Sequence, residues 1–176
     1  MSETKQEITT IPSVDFMFRE DGEFITRSTE ELFSGKRVVV FSLPGAFTPT
    51  CSAYQLPGFE EKYFEIKAKN IDEVYCISVN DAFVMNAWAK DQGMENVKLI
   101  PDGNGEFTNG MGMIVARQNL GFAHRSWRYA MVVDDGLVEW LVEEPGKSDN
   151  CQEDPFVETT PEKVCEYLCS TDGLAR

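Results

Sequence analysis

The sequence predicts a mixed α/β fold: a central mixed sheet flanked by helices on both faces, preceded by an N-terminal β-hairpin. Three observations predict it. Arg37 to Leu43 and Val74 to Val79 are nearly continuous apolar runs, the pattern of strands buried on both faces. The segments after each run carry apolar residues at helical spacing. Towards the C-terminus, Arg128 to Val133 and Leu137 to Val142 are two apolar segments that turn at Asp134-Asp135-Gly136, as an antiparallel hairpin would. Strands alternating with helices and then closing with an antiparallel pair give a mixed sheet.

The elements follow in order. Val14 to Phe18 and Glu23 to Ile25 form the first hairpin, turning on Asp21-Gly22. Ser28 to Phe33 holds one helical turn, and Arg37 to Leu43 is the first buried strand. A Pro/Gly/Thr segment leads to Cys51 and a long helix, in which Leu56, Phe59, Tyr63 and Ile66 share a face and Pro57 is expected to bend the axis. After the strand from Val74 to Val79, Phe83, Val84, Ala87 and Trp88 mark a second amphipathic helix, and Val97 to Ile100 a short strand. Asp102-Gly103-Asn104-Gly105 reads as a turn rather than a phosphate loop. The last helix starts at Thr160-Pro161, a cap followed by the residue best tolerated in a first turn, and presents Val164, Cys165, Leu168 and Cys169 on one face.

Composition narrows the function. With 176 residues, 42% of them apolar and no repeats or low-complexity linker, the chain is expected to form a single domain over residues 1–176. The formal charge of −14 repels a phosphate backbone and argues against nucleic acid as a partner. No apolar run is long enough to span a bilayer, so no membrane is implied. Met1 to Glu7 is polar and lacks a secretory pattern, and the expectation is a soluble, cytoplasmic protein. The stretch from Asp134 to Glu166 carries 11 acidic residues against 2 lysines, which reads as a solvated acidic face. Arg117 and Arg125 read as solvated surface charges, and His124, the one histidine, as a surface residue.

Five cysteines without a secretory pattern do not suggest a disulfide framework. There is no CxxC, and Cys165-x-x-x-Cys169 lacks a second ligand pair, so no metal site is expected. A cysteine reacts as its thiolate, so the candidate is the one placed where negative charge is stabilised. Cys51 follows a buried strand, a turn rich in Pro and Gly, and a threonine suited to capping. It therefore stands in the first turn of a helix, where backbone N–H groups lack intrahelical partners and the dipole favours an anion. Those N–H groups also stabilise charge developing on a substrate oxygen. Thr48 brings a hydroxyl able to donate or accept at both thiolate and substrate, and Pro44 and Pro49 stiffen the turn. Cys76 in mid-strand, and Cys165 and Cys169 on an apolar helix face, read as small buried hydrophobes. Arg128 opens an apolar strand and is a candidate cation for the site, although an arginine there is often an edge salt bridge.

These residues resemble a known family. The string Pro44-Gly45-Ala46-Phe47-Thr48-Pro49-Thr50-Cys51 is similar to the signature of the peroxiredoxins, within them the type II or Prx5-like group. Ser78-Val79-Asn80-Asp81 with Phe83-Val84-Met85, Pro101 to Phe107, and Arg125-Ser126-Trp127-Arg128-Tyr129 extend the resemblance over nearly the whole chain. It implies a thioredoxin-like fold, no cofactor, and a thiol peroxidase in which Cys51 attacks the O–O bond of hydrogen peroxide or an alkyl hydroperoxide and becomes a sulfenic acid. Arg128 would match the distal arginine that pairs with the thiolate. Thr48 would hydrogen-bond the substrate, Thr50 and Cys51 would hold the leaving oxygen through their N–H groups, and Pro44 would pack over the site. The resemblance further implies a homodimer through the face near the active site.

How the sulfenic acid is reduced stays open at this level. The spacing of 25 residues from Cys51 to Cys76 matches type II members restored by glutathione with glutaredoxin, some of which carry a fused glutaredoxin domain; none is expected within this chain. Cys151 lies near where animal members place a resolving cysteine. Either Cys151 or Cys76 would instead give an intramolecular disulfide, with thioredoxin as reductant. A disulfide needs Cα atoms within about 7 Å, so Cys76 on a buried strand would require local unfolding, whereas a loop cysteine moves more cheaply. Two other classes compete: a redox sensor in which Cys51 oxidation alters a partner surface, and a cysteine hydrolase that would have to use His124 as base.

Overall fold

The computed structural model describes residues 8–171; the Met1 to Glu7 stretch lies outside them. Strands β1 (Asp15–Glu20) and β2 (Glu23–Ser28) pair antiparallel from Asp15↔Ser28 to Glu20↔Glu23. Asp21 and Gly22 both take positive φ, 49° and 79°, which is what a two-residue turn of matching twist requires. Ser28 caps α1 (Thr29–Phe33) by accepting from the Glu31 N–H. β3 (Arg37–Ser42) is buried at every position. A turn, a short helical entry and a π-helical turn (Cys51–Gln55) lead into α2 (Leu56–Glu61) and α3 (Tyr63–Lys67). Then come β4 (Glu73–Ser78), α4 (Ala82–Asp91), β5 (Lys98–Pro101), α5 (Glu106–Gly110), the small antiparallel pair β6 (Ile114–Ala116) and β7 (His124–Ser126), the hairpin β8 (Tyr129–Asp134) and β9 (Leu137–Glu143), and α6 (Pro161–Ser170).

The main sheet has the order β5-β4-β3-β8-β9. β3 pairs parallel with β4 and β4 with β5, while β3–β8 and β8–β9 are antiparallel. Because side chains alternate along a strand, the apolar runs divide between two cores. Val39, Phe41, Val74, Cys76, Ala130 and Val132 face one core, closed by α2, α3, α4 and α6 through Leu56, Phe59, Ile66, Trp88 and Leu168. Val38, Val40, Tyr75, Ile77, Met131 and Val133 face the other, closed by the N-terminal hairpin, α1 and α5 through Phe16, Phe33 and Phe107. Helices thus flank both faces, as the sequence predicts. Among the described residues no helix is long and apolar enough to cross a membrane.

Several expectations need correction. The long helix breaks at Lys62 (φ −87°, ψ 2°), not at Pro57; the proline, which has no N–H to give, sits in the first turn of α2 directly after the π-helical turn. Leu56, Phe59, Tyr63 and Ile66 are nevertheless all buried. On α4 the buried face is Ala82, Met85 and Trp88, because Asp81 caps the helix through the Val84 N–H and sets its phase; Phe83 is 57% exposed. Phe83 instead meets the edge of Phe24 at 5.9 Å, with Arg19 over both rings. Cys165 is buried, but Cys169 at the end of α6 is exposed. Arg117 is not a solvated charge: it is 3% exposed and donates to the Cys151 carbonyl at 2.8 Å. Arg125 is half-buried and donates to the Pro44 carbonyl at 3.1 Å.

Candidate active site

The end of β3 delivers the chain into a turn held from three sides. The Ala46 N–H donates to Asn80 Oδ1 at 3.0 Å, Arg125 Nη1 holds Pro44 O, and the Thr48 hydroxyl donates to Gly45 O at 2.7 Å. A Cβ on Gly45 would collide with the Arg125 guanidinium, so the close approach of that cation requires glycine here. Phe47 is forced to a left-handed φ of 63°. Helical conformation starts at residues 49–50, and the Ser52 N–H closes the first turn onto Thr48 O at 3.0 Å. Cys51 therefore stands in the first turn, as the sequence implies, with the N–H groups of Thr50 and Cys51 ahead of that first bond. Thr50 makes no side-chain cap; its αR conformation places it inside the helix. One residue past the thiol, Ser52 Oγ accepts from the fully buried Trp88 indole at 3.0 Å.

Arg128, directly before β8, reaches across to this turn. Its Nη1 is 3.4 Å from Cys51 Sγ and also donates to Gln55 Oε1. Its Nη2 donates to Asp154 Oδ1 at 2.6 Å, and the Phe156 ring centre lies 5.6 Å from its carbon Cζ. Arg128 is 2% exposed and Cys51 is fully buried, so this pair acts in a poorly hydrated setting. Burial alone would lower the Arg128 pKa, but Cys51 and Asp154 outweigh it and hold the guanidinium above its ordinary value. Two buried donors, Gln55 Nε2 and Arg128 Nε, have no hydrogen-bond partner among the described residues.

Of the residues singled out from sequence, Cys51 and Arg128 meet directly, and Pro44 is buried in the turn beside them. Thr48 is in the same turn, but its hydroxyl donates to Gly45 O rather than to the sulfur, which leaves its lone pairs to accept. Cys76 lies in the same core as Cys51, opposite Phe41 on β4, fully buried, with its thiol pushed well above the usual value by burial and then by the Cys51 charge. Cys151 packs against the other core, whereas Cys51 belongs to the first. His124 is exposed on β7. Sequence reasoning missed Gln55 and Asp154. Gln55 was accessible in principle, since four residues on from Cys51 in a helix is the same face; nothing local marks Asp154, which lies 26 residues from Arg128.

Comparisons place this geometry among known proteins. Residues 8–158 match the Redoxin family. A peroxiredoxin of Rhizobium etli is 54% identical over 167 residues, covering 90% of this chain and 93% of that protein. The hybrid peroxiredoxin hyPrx5 of Haemophilus influenzae is 48% identical over 158 residues, covering 90% of this chain and 64% of the hybrid. The crystal structure of reduced Prx3 from Vibrio vulnificus in complex with hydrogen peroxide superposes with a TM-score of 0.83 at 36% identity, covering 93% of this chain and 96% of that one.

Proposed function

The chain belongs to the Redoxin family as a peroxiredoxin of thioredoxin-like fold, a thiol peroxidase, and on that premise we propose that Cys51 is its peroxidatic nucleophile and Arg128 the cation that acts on it. The observation that carries the assignment is the 3.4 Å contact between Arg128 Nη1 and Cys51 Sγ in a buried site. The thiolate of Cys51 attacks one oxygen of the hydroperoxide. An S–O bond forms, the O–O bond breaks, and the leaving oxygen departs as water or alcohol once protonated. Cys51 is left as a sulfenic acid.

The surroundings divide the work. The Thr48 hydroxyl donates to Gly45 O, and its lone pairs accept from the O–H of the hydroperoxide. Arg128 and the N–H groups of Thr50 and Cys51 stabilise the charge developing on the two oxygens. Gln55 Nε2 and Arg128 Nε are further donors within the site. Pro44, buried, keeps bulk water from the sulfur.

For the return step, an external thiol fits this geometry best. Glutathione attacks the sulfenic sulfur, water leaves, and a second thiol delivered through glutaredoxin releases Cys51 and oxidised glutathione. Cys76 is a poor resolving thiol because burial favours its protonated form and β-pairing holds its backbone. Cys151 packs against the opposite core and its carbonyl is held by Arg117 Nη1 at 2.8 Å, so it would have to leave that packing to reach Cys51. The match to a hybrid protein, of which it spans 64%, is consistent with a glutathione-linked partner. All five cysteines are free thiols, which suits a reducing compartment, and we place the protein in the cytoplasm. Exposed Phe47 and Tyr54 beside the site offer a second copy an apolar footing for a homodimer.

The test is peptide mass spectrometry after one equivalent of hydrogen peroxide. Cys51 as a sulfenic acid, becoming a glutathione adduct when glutathione is added, is the expected result. A Cys51–Cys151 or Cys51–Cys76 disulfide would move the reductant to thioredoxin. Cys51 left unoxidised would refute the assignment.

A further inference from the structure

The contact between Asp154 and Arg128 is built differently from an ordinary surface ion pair. Its arginine end is 2% exposed and its carboxylate end 47% exposed, so the pair runs from solvent straight to the cation that touches Cys51. A single exposed ion pair counts for little because water competes for both ends. Here water reaches only one end, and the 2.6 Å contact uses the Arg128 nitrogen, Nη2, that is not on the sulfur.

The segment that carries Asp154 is anchored on both sides. Before it, the Ala116 N–H donates to Asp149 Oδ1 at 2.7 Å, the Asn150 N–H to Ala116 O at 2.8 Å, and Arg117 Nη1 to Cys151 O at 2.8 Å. After it, the N–H groups of Val157, Glu158 and Thr159 all converge on Oε1 of Glu144, a carboxylate only 1% exposed. Between these anchors Phe156 lies under the Arg128 guanidinium. Asp154 is thus held against Arg128 by backbone bonds that do not involve Arg128.

We propose that Asp154 is a positioning residue for the Cys51 chemistry: its carboxylate fixes the fork of Arg128 and draws off part of that cation's charge, setting how strongly it acts on the sulfur. The inference rests on the assignment of Cys51 as nucleophile and goes beyond it. Few other charges face the two groups. Around Cys51 stand Arg128, Arg125 and the neutral thiol of Cys76; around Arg128 stand Gln55, Asp154 and the Phe156 ring. Asp154 is the anionic side chain in that set. Removing its charge leaves more of Arg128's field directed at Cys51, which favours the thiolate. Removing its oxygen frees Nη2 and lets the fork swing.

Two variants separate these effects. Asp154→Asn keeps an oxygen for Nη2 and removes the charge; Asp154→Ala removes both. The pH dependence of Cys51 alkylation by iodoacetamide, read by peptide mass, reports the charge effect without any peroxide. The expected result is a lower pH midpoint in Asp154→Asn, which keeps the fork in place, than in the unsubstituted protein. With hydrogen peroxide at a pH above all three midpoints, Asp154→Asn should oxidise within about twofold of the unsubstituted protein, since an acceptor remains. Asp154→Ala should be slower by about tenfold, the scale of a lost positioning contact. An unchanged midpoint in Asp154→Asn, or an alanine variant that oxidises at the unsubstituted rate, would overturn the proposal. If the unsubstituted protein left Cys51 unoxidised by peroxide, the nucleophile assignment itself would fall, a result readily told from the other two.

Discussion

Arg128 Nη1 lies 3.4 Å from Cys51 Sγ although 77 residues separate them in the chain, because β8 runs antiparallel beside β3 and so returns the chain to the strand that leads to Cys51. A charge held that close, out of water, needs no reorganisation when the transition state forms.

Arg128→Ala should slow oxidation of Cys51 by hydrogen peroxide about 10- to 1000-fold, the range for loss of one charge-stabilising donor. Arg128→Lys should fall between, since it retains a cation but loses the planar fork that serves Cys51 and Asp154 together. Rapid-mixing rates at constant pH check both. An alanine variant reacting at the original rate would remove Arg128 from the site.

The cysteine variants should sort by location. Cys51→Ser should abolish peroxide turnover, whereas Cys151→Ser should leave turnover with glutathione and glutaredoxin within about twofold, a surface-scale effect. Cys76→Ser places a hydroxyl in a fully buried strand position and should cost about 1–3 kcal/mol in a urea titration while leaving the peroxidase cycle working. Turnover with thioredoxin that the unsubstituted protein sustains and Cys151→Ser does not would favour an intramolecular disulfide instead.

Which parts of this were legible in the sequence follows from how far the information travels along the chain. β3 and β4 announced themselves as apolar runs, and both Asp-Gly hairpin turns occur where the dipeptides stand, at Asp21-Gly22 and Asp135-Gly136. Cys51 in its first helical turn was readable because strand, turn and helix entry are contiguous. Short elements were not: α5, β6 and β7 span three to five residues, too few for a period to show. The phase of α4 was misjudged because Phe83 is apolar yet serves Arg19 and Phe24 outside the core. Asp154 and the burial of Arg117 depend on contacts between distant segments, and neither leaves a local mark.

Phe41 and Phe59 stack face to face with centroids 3.9 Å apart, both fully buried, and join β3 to α2 in the core that also holds Cys51. Phe59→Ala should cost about 3–5 kcal/mol of unfolding free energy, lost burial plus the cavity left behind. Guanidinium titrations should show a lower midpoint at an unchanged slope. A loss below about 1 kcal/mol would mean that the core collapses to fill the space.

Alkaline pH should destabilise the fold in a defined window. Burial, with Glu65 adding to it, pushes the Cys165 thiol up to about 11 from its ordinary 9.0. Below pH 9 both states keep the proton and the contribution is complete; between 9 and 11 the unfolded chain loses a proton that the folded chain retains, so stability falls as pH rises. Tyr167, pushed up to about 12 by burial and by Glu139, extends the same trend. Thermal midpoints measured across this window should drop less steeply in Cys165→Ala. An identical slope would assign the loss to other groups.

The indole of Trp88 is bonded to Ser52, the residue directly after Cys51. Any opening of that helical turn, whether to expose the sulfur or to admit a reductant, must break this bond and change the polarity around the ring. The enzyme therefore carries an optical reporter bonded to the residue next to Cys51. With Trp127 and Trp140 replaced by phenylalanine, emission from the remaining tryptophan would follow each redox step in real time, without a label.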